Sequence, residues 1–330
     1  MKLYLSTVFL ALFIFSGCSS KEYFDPKVVK DDWDKQAFLE ETIITTTADG
    51  AVLENGQILT KEGVQEYLLP KGYSYIGQSD GWIIASKVDG ELLLQSIDDI
   101  TTQINFELKK TVAGATVSGD KLAVVFATNE MALYRLSTKE LVLKEGGNAP
   151  IAVDTRIVNP FFLNELVLFL TLDGKVVIIN SDTKEVLRSM LVSSEENFNN
   201  IIYFNVIDNV MVAGTGYRLF SLSEKERREK YEMRDIVFND EGIWITTKEG
   251  EVIALTPSLQ LKAKRKYPFA HFLGMIFTDD KIYLLERQGY IIELSKDLAT
   301  SDIYELNIDD GYVYVGEKAF YVNDIIYPIE

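Results

Sequence analysis

The sequence is poor in the residues that most often carry chemistry. Among 330 residues there is one cysteine, Cys18, one histidine, His271, and only seven prolines. A single cysteine excludes any internal disulfide, so an exported chain of this size must be held by its core and its backbone pairing alone. One histidine and one cysteine cannot assemble the usual nitrogen and sulfur zinc sites. A Ser-His-Asp arrangement would have to use His271, which lies in the apolar stretch "YPFAHFLGMIF", the setting of a core or edge histidine. Neither a G-x-x-x-x-G-K-S/T phosphate loop nor a D-x-D/N-x-D/N-G calcium loop occurs. Fifty acidic residues leave a carboxylate-pair glycosidase open, although "IDDIT", "TDDK" and "NIDDG" are ordinary turn sequences. The expectation is a chain without enzymatic activity and without a cofactor.

Positive charge is also scarce. The chain has 33 Lys and Arg against 50 Asp and Glu, a net charge of −17. Phosphate backbones and anionic headgroups are repelled overall, which argues against nucleic acid as a partner and leaves membrane attachment to a lipid. The one dense basic cluster, "KAKRK" at 262–266, falls where an exposed edge strand is expected, and reads as protection of that edge.

One apolar stretch stands apart, "LYLSTVFLALFIF" after Lys2. It is too short to span a bilayer and gives way at once to small and polar residues, the pattern of a secretory signal. Residues 1–17 are therefore expected to be a signal peptide, 18–41 a lipid anchor and tether, and 42–330 the folded unit. "FSGC" at 15–18 looks like a bacterial lipobox with Phe15 at the usual leucine position, and Cys18 is the candidate lipidation site. The alternative is a cleaved signal that leaves Cys18 as an unused thiol. In lipoproteins, a residue other than Asp after the cysteine implies sorting to the outer membrane, and here that residue is Ser19. The periplasmic side is preferred over the cell surface.

What the sequence has in quantity is repetition. "LVLFLTLDGKVVIINSDTKEVL" recurs in outline as "WIIASKVDGELLLQSIDDITTQI", "KLAVVFATNEMALYRLSTKELVL", "GIWITTKEGEVIALTPSLQL" and "KIYLLERQGYIIELSKDLAT". The turn positions Gly90, Glu130, Gly174, Gly216, Gly250 and Gly289 are spaced by 40, 44, 42, 34 and 39, and Gly50 lies 40 before Gly90. A period near 40 with two apolar strands around a tight turn marks a β-propeller blade. The strands are continuous in hydrophobicity, as suits sheets covered on both faces by neighbouring blades. The expected fold is all-β, a single propeller of four-stranded blades closed by N- and C-terminal strands. Seven blades are preferred, with the two ends sharing one blade; eight result if each end builds its own.

"DGKVVIINSDTKEVL" resembles the repeat of pyrroloquinoline-quinone-type propellers through Asp173, Gly174, Val176, Asp182, Thr183 and Lys184. With a lipobox in front, the chain resembles the outer membrane protein assembly factor BamB family over most of its mature length. The resemblance implies a lipid-tethered periplasmic scaffold that binds envelope proteins, including the barrel-assembly machinery, as a monomer within a complex. It departs from the pattern where family blades place a docking Trp: Arg188, Lys262 and Leu143 stand there instead, while Trp82 and Trp244 sit inside apolar strands. A surface-exposed propeller that binds a host protein has the same features, and a quinoprotein or carbohydrate-active enzyme is a further alternative. Candidate contact loops are "NPFFLN" and "KYPFAHF", where Phe161, Phe162, Phe269 and Phe272 either reach a partner or fill the space between blades.

Overall fold

A computed structural model describes residues 22–329. The signal segment and Cys18 lie outside the described residues. The chain forms eight four-stranded antiparallel blades, and one blade carries a fifth strand. Blades 1 to 7 cover residues 43–68, 74–107, 112–145, 161–191, 203–230, 233–266 and 272–305 in chain order. The eighth is composite. Val313–Val315, Ala319–Val322 and Ile325–Pro328 supply three strands, and Ala37–Phe38 supplies the outermost.

The blade count therefore corrects the preference for seven in favour of eight. The reason is a turn that the repeat spacing misplaces. Gly50 lies between the first two strands of blade 1, whereas the turn equivalent to Gly90 is at Gly56, whose φ is 91°. The segment before Gly90 thus holds four strands of its own, and closure falls to residues counted as tether. In blade 3 the left-handed position is taken by Asn129, φ 65°, one place before Glu130. Asn tolerates this region better than most residues.

The third and fourth strands of blades 3 and 4 are joined by "STKEL" and "DTKEV", in which Lys139 and Lys184 adopt φ values of 58° and 65°. In blades 6 and 7 the same place is held by Leu259 and Leu298, φ 61° in both. Blades 3, 4 and 6 show a register shift beside this turn, at Leu133/Tyr134, Ile178/Ile179 and Ala254/Leu255. A bulge here increases the strand twist that lets blades fan around a ring.

Burial follows strand position. In blade 4 the second strand, Leu166–Leu170, is buried from Val167 onward. The outermost strand of blade 5, Glu226–Lys230, is exposed at every residue, and "KAKRK" lies on the outer edge of blade 6, as expected for edge protection. Blades meet through apolar layers: Trp244, Val252 and Ala254 of blade 6 pack with Phe272, Met275 and Leu284 of blade 7. Trp244 is 1% exposed, and the Lys262 ammonium lies 5.4 Å from its ring centroid. Trp82 is half-buried on the second strand of blade 2.

The segment before blade 1 is strapped across the ring's seam. Asp31–Asp32 adds a parallel strand to the outer edge of blade 7, and Trp33 donates its amide to the Glu305 carbonyl at 2.7 Å. Trp33 then buries itself against Tyr304 and Tyr283, with ring centroids 5.3 and 6.2 Å away. Ala37 and Phe38 next pair with Ile326 and Ile325 of blade 8, after which the chain enters the inner strand of blade 1.

Candidate functional site

The innermost strands of the blades surround the ring axis, and the long connection between blades 3 and 4 reaches across them. Asp154 is anchored by the buried Asn200, whose Oδ1 accepts the Asp154 amide at 2.7 Å. Arg156 forms a two-pronged ion pair with Asp154, at 2.9 Å through Nε and 2.7 Å through Nη2. Its Nη1 donates to the backbone carbonyl of Arg234, on the inner strand of blade 6. Three residues later, Asn159 donates to the Asp49 carboxylate of blade 1 and to the Ile76 carbonyl of blade 2 at 3.0 Å, and accepts the Ala115 amide of blade 3 at 2.9 Å. Residues 154–160 thus bridge from blade 6 to blades 1, 2 and 3. Gly77 and Gly114 allow this approach, because a Cβ on Gly77 would lie 2.5 Å from the Asn159 amide nitrogen and one on Gly114 would lie 3.0 Å from its carbonyl oxygen.

The charges along this bridge are perturbed. Burial raises the Asp49 carboxyl above the ordinary range, with the Asn159 hydrogen bond and the Lys61 charge opposing. Burial also raises Asp235, opposed by its hydrogen bond from the Ile236 amide and by Arg156. Burial disfavours the charges of both Arg156 and Asp154, yet their mutual pairing prevails: Arg156 is raised and Asp154 lowered. Arg234 is the exception. Its guanidinium is lowered by burial and then by the charges of Arg156 and Arg287, and its Nε is buried without a hydrogen-bond partner. Arg287 pairs with Asp310 at 2.7 Å.

Beside Asn159, a cavity of about 410 Å³ is lined by Asp49, Lys61, Gln78, Asn159, Phe161 and Phe204, among others. Two recesses lie elsewhere. One of about 630 Å³ between blades 1 and 2 presents Leu68, Ile97 and Ile100 among Gln65, Gln95 and Gln103. One of about 720 Å³ lies where Tyr23 to Val28 cross blades 6 and 7, beside Arg265, Lys266 and Phe269. Among the described residues no group of three or more His, Cys, Asp or Glu is placed to hold a metal ion.

The four aromatic candidates separate. Phe269 is 57% exposed and holds a φ of 65°, so it stands out from its loop. Phe272 is 2% exposed, and its assignment to a contact loop is corrected: it opens the inner strand of blade 7 and packs edge-on against Tyr267, 6.1 Å between centroids. Phe161 and Phe162 are also corrected from loop to strand, since they start the inner strand of blade 4 and are half-buried, Phe161 lying 5.3 Å from Phe204. His271, immediately before Phe272 in the chain, is half-buried, and its amide donates to the buried Glu286 carboxylate at 2.8 Å.

Asp49, Arg156, Asn159 and Arg234 escape a reading of the sequence, because none belongs to a motif. One signal is available for Arg234 once the inner strands are aligned by register. In blades 1, 2, 3, 6 and 7 the inner strand skips one residue in its pairing, and the skipped residues are Ile44, Ile76, Ala113, Arg234 and Leu273. Arginine occupies a place that the other four blades give to aliphatic side chains.

Comparison with known proteins supports the architecture. No protein-family profile matches the chain. It is 27% identical to plasminogen-binding protein PgbB of Helicobacter pylori strain J99, in an alignment covering 94% of this chain and 69% of that protein. The counterpart from strain 26695 is 26% identical, with 94% and 68% covered. Among solved structures, BamB from Moraxella catarrhalis superposes with a TM-score of 0.66 at 14% identity, covering 88% of this chain and 97% of that one. The C-terminal WD40 domain of Sif2 gives 0.61 at 11% identity, covering 88% and 96%, and the designed protein Ika8 gives 0.57 at 12%, covering 90% and 98%. The chain is a BamB-like β-propeller in fold.

Proposed function

We propose that this chain is a non-catalytic, protein-binding propeller, held at the bacterial outer membrane by a lipid on Cys18. The observation that carries the reading is the similarity along 94% of the chain to proteins named for binding plasminogen. The geometry is consistent with it: a ring strapped shut at its seam and bridged across its inner strands is a rigid platform, and such platforms bind through loops and edges. Phe269 is the best-placed anchor, an exposed aromatic beside Tyr23 and the basic edge of blade 6. Within this reading a host protein such as plasminogen is the preferred partner, since sequence similarity reaches further toward function than a shared fold.

The test is capture of plasminogen by immobilised chain 22–330, with serum albumin as control. Saturable binding that weakens in Phe269→Ala supports the reading, and absence of binding by folded protein removes the preferred partner. The second reading, a periplasmic scaffold in barrel assembly, is favoured by the superposition on 97% of BamB. Crosslinking from native membranes tests it. Recovery of the barrel-assembly machinery, lost with Cys18→Ala, supports that role, and protease resistance of the protein on intact cells separates it from surface display.

A further inference from the structure

Arg234 is the second residue of the inner strand of blade 6, at the end of the ring where the Lys248 amide donates to the Glu232 carbonyl and the Arg287 amide to the His271 carbonyl. The skipped pairing between Met233 and Asp235 leaves Arg234 and Asp235 as consecutive half-buried residues, flanked by the buried Met233 and Ile236. A bulge of this kind re-aims a side chain that would otherwise alternate into the core. The equivalent residues of blades 1, 2, 3 and 7 are Ile44, Ile76, Ala113 and Leu273, so the fold itself does not call for a charge here.

The neighbours make the charge costly. Arg156 and Arg287 each have a carboxylate of their own, in Asp154 and Asp310. Arg234 has no side-chain hydrogen bond among the described residues, and its Nε is buried without a partner. Asp235, next in the chain, is turned toward its own Ile236 amide at 2.9 Å. A guanidinium that is desolvated, flanked by two like charges and unpaired is held at a loss in the free protein. An incoming oxyanion would recover that loss, because the planar fork accepts two oxygens at once.

We propose that Arg234, flanked by Arg156 and Arg287, is a receptor for a carboxylate borne by a protein partner, an Asp or Glu side chain or a chain terminus inserted at this end of the ring. The proposal rests on the reading of the chain as a protein-binding propeller and names the chemistry by which one face would engage.

The test compares thermal unfolding of chain 22–330 with its Arg234→Leu variant, which takes the residue type found at the equivalent place in blade 7 and is expected to fold. Three probes are added at matched ionic strength: N-acetyl-aspartyl amide, its neutral asparaginyl analogue, and inorganic phosphate. The expected result is a rise of about 2 °C or more in the wild-type midpoint with the aspartyl probe near saturation, none with the asparaginyl probe, and none for Arg234→Leu. Equal shifts in both proteins, or no shift in either, overturn the site. A shift with phosphate and none with the aspartyl probe overturns the protein-borne carboxylate and assigns a free oxyanion. A carboxylate-specific shift in a protein that captures no plasminogen and no envelope protein upholds the site while sinking the wider binding reading.

Discussion

Asn159 holds the carboxylate of Asp49 across 110 residues of sequence, joining the approach to blade 4 to the first turn of blade 1. The same amide group also bonds blades 2 and 3, so one side chain registers four blades around the axis. Asn159→Ala removes the partner of the Asp49 carboxyl, the Ile76 carbonyl and the Ala115 amide. A loss of about 2 kcal/mol or more in stability is expected from three such groups in a partly buried setting, read as a shift of the urea midpoint with unchanged slope. An unchanged midpoint would show that water replaces the amide without cost.

Two carboxyl groups give opposite pH signatures. Burial raises Asp49, so the folded state holds its proton more tightly than the unfolded state and stability falls as pH rises from the ordinary carboxylate range through the raised value. Glu130, paired with Lys110 and Lys144, is lowered to about 2, so its contribution is complete above its ordinary value of 4.5 and is lost as pH falls from there toward about 2. Asp49→Asn keeps an acceptor for Asn159 and removes the buried charge. The variant should exceed wild type in stability at about pH 8 and converge with it near pH 4. A gain that is constant over that range would mean that Asp49 does not titrate differently in the two states.

The strap at the seam is expected to be structural. Trp33 is 9% exposed between Tyr304 and Tyr283, and Trp33→Ala should cost about 3 kcal/mol, in the range for large aromatic truncations. A chain beginning at Thr42 loses in addition the Ala37–Phe38 strand and bares the edge of Ile325–Pro328. It should melt lower and self-associate, as size-exclusion chromatography would show. Monomeric behaviour with wild-type stability would mean that three strands suffice to close the ring.

Gly174 separates the demands of conformation from those of space. Its φ is 85°, and a Cβ there would lie 2.4 Å from the Ser193 carbonyl oxygen, whereas Gly72, φ 89°, has nothing within 4 Å of that point. Gly72→Ala should cost about 1 kcal/mol for backbone strain alone. Gly174→Ala should cost clearly more, because a backbone atom must also move. Equal costs measured by chemical unfolding would show that the turn relaxes freely.

Phe269→Ala tests the surface rather than the core. With its ring 57% exposed, stability should change by no more than about 0.5 kcal/mol. If this aromatic anchors a partner, affinity should fall about tenfold or more, measured by the same capture assay.

What was legible in the sequence is what each blade settles within itself. Asp-Gly and Glu-Gly turns, apolar strands on either side and charged outer strands are local solutions to hairpin geometry, burial on two faces and an exposed edge, so "TLDGKVVIINSDTKEVL" announces a blade wherever it occurs. The blade count depended on telling Gly50 from Gly56, two glycines in turns of different kinds only six residues apart, and spacing alone favours the wrong one. Closure by Ala37–Phe38 and the bridge from Arg156 to Asn159 were beyond reach for a further reason. Each joins residues brought together only when the ring closes, and at Asp31, Phe38 or Asn159 the sequence shows polar or isolated side chains with no period to betray a partner 100 or more residues away. Local periodicity determined that this chain builds blades; the geometry of closing a ring decided how many, what straps them, and where Arg234 is left without a side-chain partner.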